Sequence, residues 1–201
     1  MDVDGVTYAC ATSLEARAAR KAGGRVVRVG VRARRGIPDG RLVSFGVAGG
    51  LHDGLACAEV LDATRVVDAE GNVLWEGGPL GVSGARPGTI LAAGEIVDDP
   101  VERRRLHERT GADAVDMESG PLARSGRLVG CVRAISDTPS RTLGPLAKTL
   151  GPDGRLVPAG LAAALLSPRR TVRALADLRL AVRRLSTLQQ SVAKSNGGAP
   201  S

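Results

Sequence analysis

Two acidic runs constrain this chain more than any other feature. Ala114-Val115-Asp116-Met117-Glu118-Ser119-Gly120-Pro121 sets an acidic pair around a methionine at the end of a short apolar run. The Ser-Gly-Pro that closes it predicts a helix start with proline in the first turn. Val129-Gly130-Cys131-Val132-Arg133-Ala134-Ile135-Ser136-Asp137 is apolar, β-branched in part, and stops at Ser-Asp before Thr138-Pro139. It predicts a buried strand whose last side chain emerges at the sheet edge. Carboxylates thus stand at the carboxyl ends of two strands, the rim where open α/β sheets bind ligands.

The rest of the chain supplies more strands and helices. Val6 to Ala11 predicts a first strand, and Thr12-Ser13-Leu14-Glu15 opens a helix that Gly23-Gly24 ends. Thr12 with Glu15 three residues on is a capping box. Strands are expected over Arg25 to Val31 and Leu42 to Ala48, with a basic loop, Arg32 to Gly40, too short for a helix between them. Phe45-Gly46-Val47-Ala48-Gly49-Gly50-Leu51 is a glycine motif after an apolar strand, where missing Cβ atoms let backbone amides approach a ligand. Glu59 to Val67 and Val73 to Glu76 flank a hairpin turn at Ala69-Glu70-Gly71-Asn72. Thr89 to Val97 predicts another strand, followed by a charged helix from Pro100 to Thr110. Thr138 to Arg155, punctuated by glycine and proline, has the composition of a lid. Helices are expected over Ala159 to Leu166 and Pro168 to Leu188. The second carries Val172, Leu175, Leu178, Val182 and Leu185 on one stripe and arginines on the other.

Val-Asp-Met-Glu-Ser followed by Val-Arg-Ala-Ile-Ser-Asp resembles the paired signature of the purine nucleoside and uridine phosphorylase superfamily. The tract Ser136 to Ala147 and the Gly-Pro-Asp-Gly-Arg after it resemble the hopanoid-associated phosphorylase branch, which acts on adenosylhopane-type molecules. The methylthioadenosine/adenosylhomocysteine nucleosidases are similar as well. The resemblance runs from Val6 to Leu188 and is strongest from Ala112 to Leu150. It implies an α/β fold, three-layer αβα with a central mixed sheet, and cleavage of the N-glycosidic bond of a 5′-modified purine nucleoside to release adenine.

The resemblance also implies roles. Asp137 is the general acid for purine N7, and Glu15 lies beside the sugar, where it activates water in hydrolytic members. Glu118 accepts from the 2′ and 3′ hydroxyls, and Met117 forms an apolar wall. Asp116 and Ser136 flank these groups, Ala48 and Gly49 bring the glycine motif, and Ile96 and Val97 border the base where relatives often have an aromatic residue. For Glu15, capping and catalysis are compatible. Breaking a ribosyl bond needs a proton for the leaving base, support for a cationic sugar and a nucleophile, work that paired carboxyl groups perform in glycosidases.

The chain departs from the pattern in two places. It lacks a full helix near Arg32 to Gly40 and has Ser44-Phe45 where phosphorolytic relatives often carry an arginine. The linker from Glu118 to Asp137 is about one helical turn shorter than usual. Phosphate and water thus both remain possible nucleophiles, with Arg32, Arg34 and Arg35 available to phosphate. A noncatalytic nucleoside-binding protein is the rival reading.

At 201 residues the chain suits one domain, 1–190, with a polar tail, 191–201, expected to be disordered. Cys10, Cys57 and Cys131 form no Cys-x-x-Cys pair, which points to free thiols and a cytoplasmic location. His52 and His107, expected on the surface or in loops, lack metal-ligand spacing. No metal or cofactor is expected, with inorganic phosphate as a possible co-substrate. The net charge of +7 sits almost wholly in the C-terminal helix and tail, and three aromatic residues give no stacking platform for nucleic acid. The basic helix 168–188 instead suits peripheral contact with the inner face of a membrane. A homo-oligomer is implied by the resemblance.

Overall fold

The computed structural model describes residues 5–21, 25–149 and 167–195. The expected helix Ala159 to Leu166, the Gly23-Gly24 stop, 150–155 of the lid segment and 196–201 of the tail lie outside the described residues. Eight strands form one mixed sheet among them: β1 Val6–Cys10, β2 Arg25–Arg28, β3 Arg41–Gly50, β4 Val60–Val67, β5 Val73–Glu76, β6 Arg86–Ala92, β7 Ala114–Asp116 and β8 Leu128–Asp137. The helices are α1 Ser13–Arg20, α2 Pro100–Thr110, α3 Ser119–Arg124 and α4 Pro168–Ser195.

β3 lies between β1 and β8, parallel to both. β8 runs antiparallel to β4, β4 pairs parallel with β6, and β6 pairs parallel with β7. β7 then returns antiparallel to the end of β3, where Gly49 meets Val115 and Gly50 meets Ala114. Five strands close into a ring, with β1 and β2 attached on one side and β5 on the other. The β4–β5 hairpin is antiparallel, as its turn residues predict.

Alternation along β3 and β8 sorts their side chains between two faces. Val43, Phe45, Val132 and Ala134 pack against Ala16 and Ala19 of α1 and Ala181, Leu185 and Leu188 of α4. Leu42, Ala48, Cys131 and Ile135 face inward with Leu61, Ile90 and Leu122, the last from α3. A third cluster, Leu51, Val67, Leu91, Leu106 and Val115, lies under α2. Helices on both faces of a mixed sheet give the three layers expected.

Two expected strands are shorter. β2 stops at Arg28, and a 3-10 turn, Val31–Ala33, follows with Arg32 and Ala33 both at φ 55°. β6 stops at Ala92 because its partner β7 ends opposite, at Asp116. Ile96 and Val97 therefore stand in a loop and not on a strand. α4 runs on to Ser195, beyond the expected Leu188. No helix among the described residues is long and apolar enough to cross a membrane.

Candidate active site

The ends of β1, β3, β7 and β8 converge on a cavity of about 440 Å³. All ten residues singled out from the sequence line it: Glu15, Ala48, Gly49, Ile96, Val97, Asp116, Met117, Glu118, Ser136 and Asp137. The chain delivers each by local rules. Glu15 sits in the first turn of α1, directly after β1, and Glu118 is the residue on which α3 begins. Asp116 and Asp137 are the last residues of β7 and β8.

Glu15 is both a cap and a cavity residue. Its Oε2 accepts from the Thr12 amide and hydroxyl, each at 2.7 Å, and its Oε1 accepts from the Val47 amide at 3.0 Å. That second bond explains Gly46, where a Cβ would lie 2.3 Å from Oε1. Gly49 does similar work: a Cβ there would come 3.2 Å from both Asp137 Oδ2 and Arg103 Nη2. Gly49 lines the cavity, and these glycines also make room for acidic side chains.

Asp137 is buried, and Arg103 of α2 donates from Nη2 to its Oδ2. The Arg103 guanidinium also donates from Nε to the Val97 carbonyl at 2.8 Å and from Nη1 to the Gly50 carbonyl at 3.3 Å. Ser136 Oγ lies 2.5 Å from Asp137 Oδ1 and 3.2 Å from the Ala48 carbonyl. The sequence reading gave Asp137 no cation, so Arg103 is a functional residue that it missed. The available signal was position: Arg103 shares the inward stripe of α2 with Leu106, three residues on.

Asp116 reaches the cavity, but its oxygens are taken. Oδ2 accepts from Arg133 Nε at 2.7 Å and from Nη2, and the Ser119 hydroxyl donates to Oδ1. Arg133 is itself fixed by Ser44 Oγ at 2.5 Å. Asp116 therefore lines the cavity while its carboxylate is held in a buried ion pair with Arg133. That pair leaves Glu118 beside a second carboxylate. Burial first, then the charges of Asp116 and Glu15, hold the Glu118 carboxyl well above its ordinary range, against the opposing charge of Arg133 and a bond from the Arg32 amide. The amide donates to Glu118 Oε1 at 3.1 Å. Arg32 thus meets the site through its backbone, and Arg34 and Arg35 are exposed.

For the opposite wall the sequence pointed to a lid segment but to no share for α4. Leu143 and Leu146 come from the segment read as a lid, and Leu175 and Leu178 from α4. Asp98 fixes that segment by accepting from the Leu143 and Gly144 amides at 3.0 and 3.1 Å. Glu95, exposed, adds a further carboxylate at the rim.

Away from the cavity, the two histidines, distant in sequence, stack with ring centroids 4.4 Å apart and are only partly exposed. His52 Nε2 lies 3.3 Å from Asp113, and His107 Nδ1 lies 2.7 Å from the Ala112 carbonyl. His52 stands in a loop, as expected, and His107 on α2. Among the described residues no group of three or more histidine, cysteine or acidic side chains is placed to hold a metal ion.

No family description matches the chain, and no curated protein matches its sequence. Solved structures do match. A 5′-methylthioadenosine/S-adenosylhomocysteine nucleosidase from Helicobacter pylori, with butyl-thio-DADMe-Immucillin-A, gives a TM-score of 0.63 at 13% identity, over 94% of this chain and 97% of that one. The futalosine hydrolase of Helicobacter pylori gives 0.64 at 13% identity, again over 94% and 97%. The nucleosidase from Neisseria meningitidis, in complex with methylthio-immucillin-A, gives 0.62 at 16% identity, over 94% and 98%. A ring-closed mixed sheet flanked by helices, superposable on these proteins over nearly its whole length, gives this chain the α/β fold that they share.

Proposed function

We propose that the protein is an enzyme, a nucleosidase that hydrolyses the N-glycosidic bond of purine nucleosides bearing an apolar 5′ group. One observation carries this reading: Glu15, Glu118 and Asp137, from three separate strand ends, face a single cavity whose far wall is leucine. The nucleosidases and the hydrolase that share the fold support it, and one of them holds a butylthio-bearing ligand.

In the proposed reaction Asp137, ionised in its resting pair with Arg103, takes a proton from solvent on the way to the transition state; the C1′–N9 bond then breaks and its electron pair passes to the purine, which takes that proton at N7. Oδ2 is occupied by Arg103, so Oδ1 beside Ser136 is the delivering oxygen. The carboxylate left behind is stabilised by the guanidinium. Glu118 accepts from the ribose hydroxyls, bonds that strengthen as positive charge grows on the sugar. Water attacks C1′ and yields its proton to Glu15, held in place by Thr12 and Val47. The products are adenine and the free 5′-modified ribose. Met117, Ile96 and Val97 supply apolar contact to base and sugar, and the leucines receive the 5′ group, methylthioadenosine-like or as large as adenosylhopane.

Charge favours water over phosphate as nucleophile. Among the described residues the lining holds five carboxylates and one arginine, and that arginine already serves Asp137, Gly50 and Val97. A phosphate would meet carboxylates and no free cation. The test is product analysis with methylthioadenosine and longer 5′-alkylthio analogues. Adenine release at a rate indifferent to inorganic phosphate, with free ribosyl product, is expected. Ribose-1-phosphate would overturn the choice of nucleophile. Analogue binding without any adenine release would establish the noncatalytic reading.

A further inference from the structure

We propose that the outward face formed by α1 and α4 docks on an anionic lipid surface. The two helices pack side by side on one face of the sheet, sharing a buried cluster through Ala16 and Ala19 of α1 and Ala181 and Leu185 of α4. Their opposite sides therefore look the same way. That side presents Arg17 and Arg20 on α1 and Arg169, Arg173, Arg179 and Arg183 on α4, all exposed. Neither helix exposes a carboxylate: Glu15 is buried in the cavity, and Asp177 is buried against Arg141 at 2.6 Å. Among the cations stand Leu14, Val172 and Leu180, exposed by 54%, 65% and 51%.

Cations without counter-charges around protruding apolar side chains are the pattern of an interfacial helix. The arginines meet anionic headgroups, and the apolar residues enter the acyl boundary. Other occupants fit less well. A second copy of the same face would set cations against cations. A nucleic acid would match the charge but leave Leu14, Val172 and Leu180 without apolar partners. The flank of α4 next to this face carries Leu175 and Leu178 of the cavity wall. Docking would thus bring the subsite assigned to an apolar 5′ group beside the bilayer, a consequence that rests on the proposed function while the docking itself does not.

The test is co-sedimentation of the full chain, without substrate, with vesicles of phosphatidylglycerol and phosphatidylcholine and with vesicles of phosphatidylcholine alone. Binding to the anionic vesicles is expected, weakening as salt rises. Arg173→Gln and Arg183→Gln should each lower the partition coefficient about fivefold. Val172→Ser with Leu180→Ser should lower it at unchanged charge. All four positions are exposed, and circular dichroism checks that the helix persists. Equal, negligible binding to both vesicle types would overturn the proposal, as would binding insensitive to these substitutions. Capture of an RNA oligonucleotide in place of vesicles would overturn it too. Since no turnover is read, failure here is distinct from failure of the nucleosidase reading.

Discussion

Arg103 and Asp137 form a pair that neither residue could hold alone. Both are almost fully buried, and removing one charge strands the other where water cannot solvate it. Breaking such a pair typically costs about 3–5 kcal/mol, so Arg103→Gln should lower the urea unfolding free energy by that order. Adding Asp137→Asn should restore part of it. If the double variant is as unstable as the sum of the singles, the pair is not the cause. Asp137→Asn alone should lose about 10²- to 10⁴-fold in turnover while still binding analogues. Glu118 poses a different question, because its carboxyl holds its proton more tightly folded than unfolded. As pH rises above the ordinary glutamate value of 4.5, the unfolded chain ionises first, so stability falls until the folded group ionises at about 8. Glu118→Gln should flatten that decline in melts taken across this range. Two ribose hydroxyls donating together are met best by the ionised form, with both oxygens accepting, so analogue binding at neutral pH should release a proton, seen as buffer-dependent calorimetric heat. Heat independent of buffer would contradict the assigned sugar contact.

Elements place these residues, and here the sequence was most informative. Asp116 and Asp137 were legible because each closes an apolar run that reads as a buried strand, Glu118 because it stands at the helix start just after one, and strand ends open onto the rim. Glu15 was legible twice over, through its capping box and through its place after β1. Arg103 was harder to read, since α2 carries Arg103, Arg104, Arg105 and Arg109 and only its spacing from Leu106 marks the one that turns inward. The glycine motif was legible but its second purpose was not, because a missing Cβ gives space without naming every group that fills it. Gly46→Ala tests that second purpose. Its Cβ would displace the Glu15 carboxylate, and overpacking of this kind costs about 1–3 kcal/mol. Adenine release should collapse with it. Gly78→Ala, where a Cβ meets nothing within 4 Å, should leave both stability and rate unchanged. Equal behaviour of the two variants would refute the argument.

At the scale of the molecule, closure of the sheet was beyond local reading. The junction of Gly49 and Gly50 with Ala114 and Val115 joins strands more than sixty residues apart, and no periodicity within either strand announces its partner. The same holds for α4, whose amphipathic stripe was plain while its three duties were not. One side fills the core with Ala174, Ala181, Leu185 and Leu188; one flank walls the cavity with Leu175 and Leu178; Asp177 anchors Arg141 beside the end of β8. A detachable basic module would share none of these with the domain. Burying each leucine contributes about 1.5–3 kcal/mol, and a domain this size has only about 5–15 kcal/mol in total. A chain ending at Ser167 should therefore expose the sheet face formed by Val43, Phe45, Val132 and Ala134. We expect it to bind a hydrophobic dye, to lose a cooperative thermal transition and to release no adenine. Cooperative melting and full activity in that truncated chain would mean that α4 is an accessory to the fold, and the cavity's leucine wall would have to be sought elsewhere.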